Sequence, residues 1–168
     1  MIWASIDPGL NLCGVAVWND ETLVHAKLVK TQARKGGASL SDRIFWMAKA
    51  VERYLLRPHA EPVPPVMTLI IELPQTYGGR AAKGDTNDLI HLAAVVGALV
   101  HLAPRVQLVR PREWKGNVPG DIFVERTKKK LTLEQVSKID LPAKSLEHNV
   151  YDAVALGLWK NEKKSLTR

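Results

Sequence analysis

The chain has 168 residues and carries 24 Lys and Arg against 17 Asp and Glu, a formal net charge of +7. Such a length bounds the molecule to one domain with one sizeable core, and the basic surplus makes a polyanion such as nucleic acid the first partner to consider. The one cysteine, Cys13, excludes an internal disulfide, and the longest apolar stretch, Leu92 to Val100, falls far short of the ~20 residues that cross a bilayer.

The opening Met1 to Asp7 reads as a strand that runs into a Pro8-Gly9 turn. Cys13 to Trp18, rich in β-branched and aromatic residues, reads as a second strand. Asn19-Asp20 marks a tight turn and Thr22 to Val29 a third strand, giving an antiparallel meander with the basic stretch Lys30 to Gly37 as its exit loop. Ser39 or Ser41 caps a helix whose face is Ile44, Met47, Ala48, Val51 and Leu55. Four prolines between Pro58 and Pro65 make a connecting loop. The nearly unbroken apolar run Val66 to Ile71, ending in Glu72, suits a central strand covered on both sides.

Leu73 to Asp85, with adjacent glycines, reads as an exposed loop, and Thr86 caps the next helix. That helix is expected to bury Leu89, Leu92, Ala93, Val96 and Val100, and Pro104 separates it from a short strand over Val106 to Val109. Pro119 to Leu131 reads as a helix with a basic C-terminal half, where Lys128, Lys129 and Lys130 form a solvated or phosphate-tracking face. The last helix runs from about Leu146 to Trp159. The order of elements predicts an α/β fold with a mixed five-stranded sheet flanked by helices.

Three acids stand out. Asp7 closes the first strand and Glu72 the fourth. Neighbouring strands lie ~4.8 Å apart, so pairing those two would bring the carboxylates to one sheet edge. Two such charges either raise the proton affinity of one member or recruit a cation, and hard oxygen donors favour magnesium or manganese. On the last helix His148 and Asp152 are ~40° apart, opposite Val150, Ala153, Val154 and Gly157, which would press on the sheet.

Ile6-Asp7-Pro8-Gly9 with Gly14-Val15-Ala16, then Ile70-Ile71-Glu72, then His148-Asn149-Val150-Tyr151-Asp152-Ala153 resemble, in order and across nearly the whole chain, the pattern of RuvC-type Holliday junction resolvases, including those of bacteriophages. The resemblance implies an RNase H-like fold, a single nuclease domain over residues 1–168, and metal-dependent endonuclease action on four-way DNA with paired symmetric nicks. Asp7, Glu72 and Asp152 would be the catalytic carboxylates, holding two Mg²⁺ or Mn²⁺ ions. Many members carry a further Asp where this chain has Asn149. His148 beside it is taken as the fourth catalytic and metal-binding group, with Asn149 as the alternative.

Tyr77, Gly78, Arg80 and Lys83, in the loop after Glu72, are candidate DNA contacts, as are Arg110, Arg112 and Lys115 around Trp114. In the family an aromatic wedge follows the catalytic Glu by three residues, a position held here by Gln75, so Tyr77 is either a displaced wedge or a tyrosine packed on its own loop. Lys115 is the nearest match to a lysine that the family uses in catalysis. The twofold symmetry of a junction implies a homodimer, with the apolar helix Leu89 to Val100 as its interface or else as an ordinary sheet cover. No membrane and no small-molecule cofactor are expected, and the cytoplasm of a bacterium or of a phage-infected host is the expected location. The alternatives are an RNase H-like nuclease acting on RNA:DNA hybrid or RNA, a non-catalytic branched-DNA module, and an actin-like ATPase.

Overall fold

A computed structural model of the chain describes residues 1–31, 38–56, 65–75 and 86–165. Its sheet has the order β5-β4-β1-β2-β3-β6. Strands β1 (Ile2–Asp7), β2 (Leu12–Asn19) and β3 (Thr22–Lys30) form the antiparallel meander, and β4 (Thr68–Glu72) and β5 (Arg105–Val109) add on in parallel beside β1. The sheet has one strand more than the five expected. The sixth, β6 (Ile139–Asp140), is a two-residue strand parallel to β3, too short to leave an alternating pattern in the sequence.

Side chains alternate across a strand, and that alternation divides the core in two. Ala4, Ile6, Val15, Val17, Leu69 and Ile71 pack under helices α1 (Leu40–Leu56) and α2 (Thr86–Leu99). Trp3, Ala16, Trp18 and Ile70 pack on the opposite face under α6 (Glu147–Ser165), together with Val150, Ala153, Val154 and Leu156. β4 is therefore apolar on both sides, as its unbroken run predicts.

The α1 face emerges as read, with Met47, Ala48, Val51 and Leu55 buried and Tyr54 added. Ser39 is its cap: the Asp42 N–H donates to Ser39 Oγ at 3.2 Å and the Asp42 carboxylate accepts from Ser39 N at 3.2 Å. The face of α2 is turned from the expected one. Val95, Val96 and Leu99 are buried, whereas Ala93 is exposed and Val100 is 37% exposed. A helix apolar nearly all round has too weak a periodicity to fix its rotation.

Between β5 and α6 lie the short helix α3 (Pro111–Trp114), then α4 (Gly120–Lys130) and α5 (Leu133–Ser137). Two of the three lysines ending α4 are tied to α6 rather than left as a free phosphate face. Lys128 bonds Glu147 at 3.3 Å and lies 5.1 Å over the Tyr151 ring, and Lys130 pairs with Glu162 at 2.8 Å. Among the described residues no helix is long and apolar enough to cross a membrane.

Candidate active site

Alternation also fixes where the acids point. Trp3 and Ser5 face α6, so Asp7, two residues on, shares their side; Ile70 faces α6, so Glu72 does too. β1 and β4 are in register at Ile6 and Ile71, which makes Asp7 and Glu72 the next pair, at the carboxyl ends of adjacent parallel strands. On the other flank Asp7 pairs with Gly14 of β2.

Gly14 decides how close α6 can come. A Cβ there would overlap the carbonyl oxygen of Asn149, and farther along a Cβ at Gly157 would overlap the Trp18 ring. Asn149, Ala153 and Gly157 are spaced by four residues, about 6 Å of helix rise, while Gly14, Ala16 and Trp18 are spaced by two, about 6.8 Å of strand. The helix thus runs along β2 with its stripe matched to the strand, and its first turns arrive above the carboxylate end. The turn after Asp7 is equally constrained. A Cβ on Gly9 would overlap the Leu12 carbonyl, and the Gly9 N–H donates to Cys13 Sγ at 3.2 Å. Burial pushes the Cys13 thiol up to about 12, so it is a structural group and not a nucleophile.

The three acids form one electrostatic site. Burial, reinforced by the charges of Glu72 and then Asp152, holds the Asp7 carboxyl well above the usual carboxylate range. Burial followed by the charge of Asp152 pushes Glu72 up to about 7, and Lys115 acts in the opposite direction on both. Lys115 Nζ lies 2.7 Å from Asp152 Oδ2 and also 5.6 and 5.0 Å from the Trp114 and Phe123 ring centroids. Those two rings meet edge to face at 5.2 Å. Trp114 is buried, and its indole N–H lowers the proton affinity of Glu72 without completing a well-formed hydrogen bond.

The donor set fits a hard divalent cation. Asp152 Oδ1 is a buried carboxylate oxygen with no hydrogen-bond partner among the described residues, and two further carboxylates repel each other beside it. Among the described residues no three Asp, Glu, His or Cys side chains are drawn together as a ready cage. The counter-charge on Asp152 is the Lys115 ammonium.

The remaining candidates are dispersed. His148 is exposed in the first turn of α6, one turn before Asp152, and Asn149 Nδ2 donates to the Leu146 carbonyl at 3.2 Å. Arg110 and Arg112 are exposed at the start of α3. Tyr77, Gly78, Arg80 and Lys83 lie outside the described residues, as do most of the Lys30 to Gly37 loop and the proline-rich connection. Trp114 lies beside Lys115 as the sequence suggests, and the structure adds Phe123 of α4 to it. A lone aromatic in the first turns of a polar helix gives no signal that would single it out.

A mixed sheet of this order, with an antiparallel β2 and acids at the carboxyl ends of β1 and β4 beneath a C-terminal helix, defines the RNase H-like fold. Within that class the chain has the fold of RuvC. RuvC of Thermus thermophilus in complex with a Holliday junction substrate superposes with a TM-score of 0.65 over 98% of this chain and 96% of its own, at 18% identity. The same organism's RuvC in another structure gives 0.60, 99% and 98%, at 20% identity. The yeast mitochondrial Holliday junction resolvase Ydc2 gives 0.51 over 98% of this chain and 81% of its own, at 10% identity. No protein-family model matches the sequence, and no curated protein is significantly similar to it.

Proposed function

We propose that this chain is a Holliday junction resolvase, a divalent-metal-dependent endonuclease of one nuclease domain that nicks opposing strands of four-way DNA. The observation that carries the reading is the meeting of Asp7, Glu72 and Asp152 in one electrostatic site, with a buried oxygen of Asp152 left unpartnered, on a fold shared with a RuvC bound to a junction.

Asp7, Glu72 and Asp152 would hold Mg²⁺ or Mn²⁺, two ions per site, with His148 as the fourth group on the solvent side. When bound, such a pair activates a water toward phosphorus and stabilises the leaving 3′ oxygen. The chain's own residues do the rest. The β1 and β4 ends fix Asp7 and Glu72 on rigid strands, and α6 brings Asp152 to them. Trp114 and Phe123 flank the Lys115 ammonium, which now pairs with Asp152 and would be free to meet a scissile phosphate once Asp152 holds a metal ion. His148 is exposed on the solvent side, one helical turn before Asp152 and so about 5 to 6 Å from it in Cβ spacing.

Arg110 and Arg112, with Lys115, would follow the phosphate backbone, and Tyr77, Gly78, Arg80 and Lys83 would enter the junction. The partner is a second copy of the chain. Ile90 is 60% exposed on α2, and Ala93, Ala94 and Gly97 are exposed beside it, leaving an apolar strip for a twofold contact.

Cleavage of a labelled mobile four-way junction with Mg²⁺ or Mn²⁺, beside linear duplex, flap and RNA:DNA hybrid, tests the reading. Paired nicks on the junction, lost in Asp7→Asn while binding persists, are expected. Cleavage of the hybrid alone would transfer the site to an RNA-directed nuclease, and binding without cleavage would make the chain a branched-DNA module.

A further inference from the structure

One polar residue interrupts the apolar run of β1. Ser5 is fully buried, one side-chain row behind Asp7 on the face covered by α6. Its hydroxyl donates to the backbone carbonyl of Ala153 at 2.7 Å and accepts the indole N–H of Trp18 at 2.9 Å. Trp18 is itself fully buried and stacks on Trp3 at 5.4 Å, with ring planes 10° apart.

The acceptor's place in the chain gives the bond its meaning. Ala153 directly follows Asp152, so the Ser5 hydroxyl holds the peptide at the base of the acid. In an α-helix the Ala153 carbonyl already has an axial partner in the N–H four residues on, at Gly157. The Ser5 bond is therefore an added lateral tie, from the strand that carries Asp7 to the turn that carries Asp152. The steric stops at Gly14 and Gly157 limit how closely α6 approaches β2. A bond at this point opposes rotation of the helix about its axis, which would swing a side chain at position 152 sideways over the sheet. It does so from the sheet side, while the pairs of Lys128 with Glu147 and Lys130 with Glu162 act from α4.

We propose that Ser5 is a positioning residue that fixes the reach of Asp152 toward Asp7 and so sets the affinity of the carboxylate site for a divalent ion. This rests on the reading of Asp7, Glu72 and Asp152 as metal ligands. Groups that orient a metal ligand from behind it are typically worth about 10- to 100-fold in affinity or activity. A hydrogen bond serving only to satisfy a buried helix carbonyl would affect stability and leave affinity alone.

The test is Mn²⁺ titration calorimetry on the full chain, with thermal melts and junction cleavage in parallel. Ser5→Ala removes the tie but orphans the Trp18 N–H. The double variant Ser5→Ala/Trp18→Phe removes both polar partners, which can be nearly neutral for folding. Trp18→Phe alone lowers stability while leaving the Ser5 to Ala153 bond.

The expected result is a Mn²⁺ affinity about 10-fold lower in Ser5→Ala and in the double variant, with a matching fall in kcat and junction affinity unchanged, while Trp18→Phe keeps its Mn²⁺ affinity within about 2-fold. Wild-type affinity in a folded Ser5→Ala or double variant overturns the proposal and leaves the resolvase reading standing. An equal loss in Trp18→Phe also overturns it, because the effect would then follow general loosening of the core. A wild-type chain whose Mn²⁺ binding is absent, or is insensitive to Asp7→Asn, overturns the metal-site reading and this inference with it.

Discussion

The carbonyl oxygen of Asn149 rests against the backbone of Gly14, in space that a side chain would fill at any other residue. Because Gly14 pairs with Asp7, this close approach lets the first turn of α6 settle over the carboxylates. Gly14→Ala is expected to lift that turn, since the obstructing atom is backbone and cannot rotate away. Overpacking of this kind costs about 1 to 3 kcal/mol. Denaturant melts should show that loss, and the same variant should bind Mn²⁺ more weakly. Gly120→Ala meets nothing at the start of α4 and should be neutral or slightly stabilising.

The metal-free protein should lose stability as pH rises through neutrality. Glu72 is pushed up to about 7, and Asp7 lies well above the ordinary range, in both cases first by burial. The folded chain therefore holds these protons more tightly than the unfolded one. That contribution is fully present below the unfolded carboxyl range, near pH 4, and disappears as pH passes about 7. Glu72→Gln should then be more stable than the parent at pH 8, by about 2 kcal/mol, with the difference shrinking as pH falls and gone near pH 4. Melts across that interval check it. Saturating Mn²⁺ should reverse the order at pH 8, because a cation needs the carboxylates ionised.

Lys115 lowers the proton affinity of both Asp7 and Glu72, so Lys115→Gln should move both higher. The pH at which Mn²⁺ binding is half-maximal is expected to rise in this variant. If Lys115 meets the phosphate as proposed, cleavage should also fall by about 100-fold. A profile that keeps its midpoint would mean that Lys115 does not share the field of the carboxylates.

The strands were legible because their signals are local: alternation, the Pro8-Gly9 and Asn19-Asp20 turns, and the unbroken β4 run. The positions of Asp7 and Glu72 were legible too, since a carboxylate ending a buried strand is conspicuous. The two-residue β6 and the short helices α3 and α5 were not, because none of the three spans enough residues to show a period. Ser5 looked like a neutral interruption of β1, and its meaning depends on a contact 148 residues away. The rotation of α2 was hidden for the opposite reason: too many of its positions are apolar, so Ala93 and Val100 looked as suited to the core as Val95 and Leu99.

That surplus of apolar positions supports the remaining prediction. α2 uses Val95, Val96 and Leu99 against its own core, yet Ile90 stays 60% exposed in line with small residues at 93, 94 and 97. Among the described residues a Cβ on Gly97 would meet nothing within 4 Å, so another helix has room to approach there. A twofold contact along this strip would place two of the proposed active sites on one junction, the arrangement that paired nicking would need. Ile90→Arg puts like charges face to face at such a contact while touching nothing buried in the monomer. Sedimentation should find the parent as a dimer and Ile90→Arg as a monomer with an unchanged melting temperature at low concentration. On a junction the variant should give single, uncoupled nicks. A parent that sediments as a monomer would move the coupling of the two cuts to the DNA itself, with each copy recruited separately by the branch.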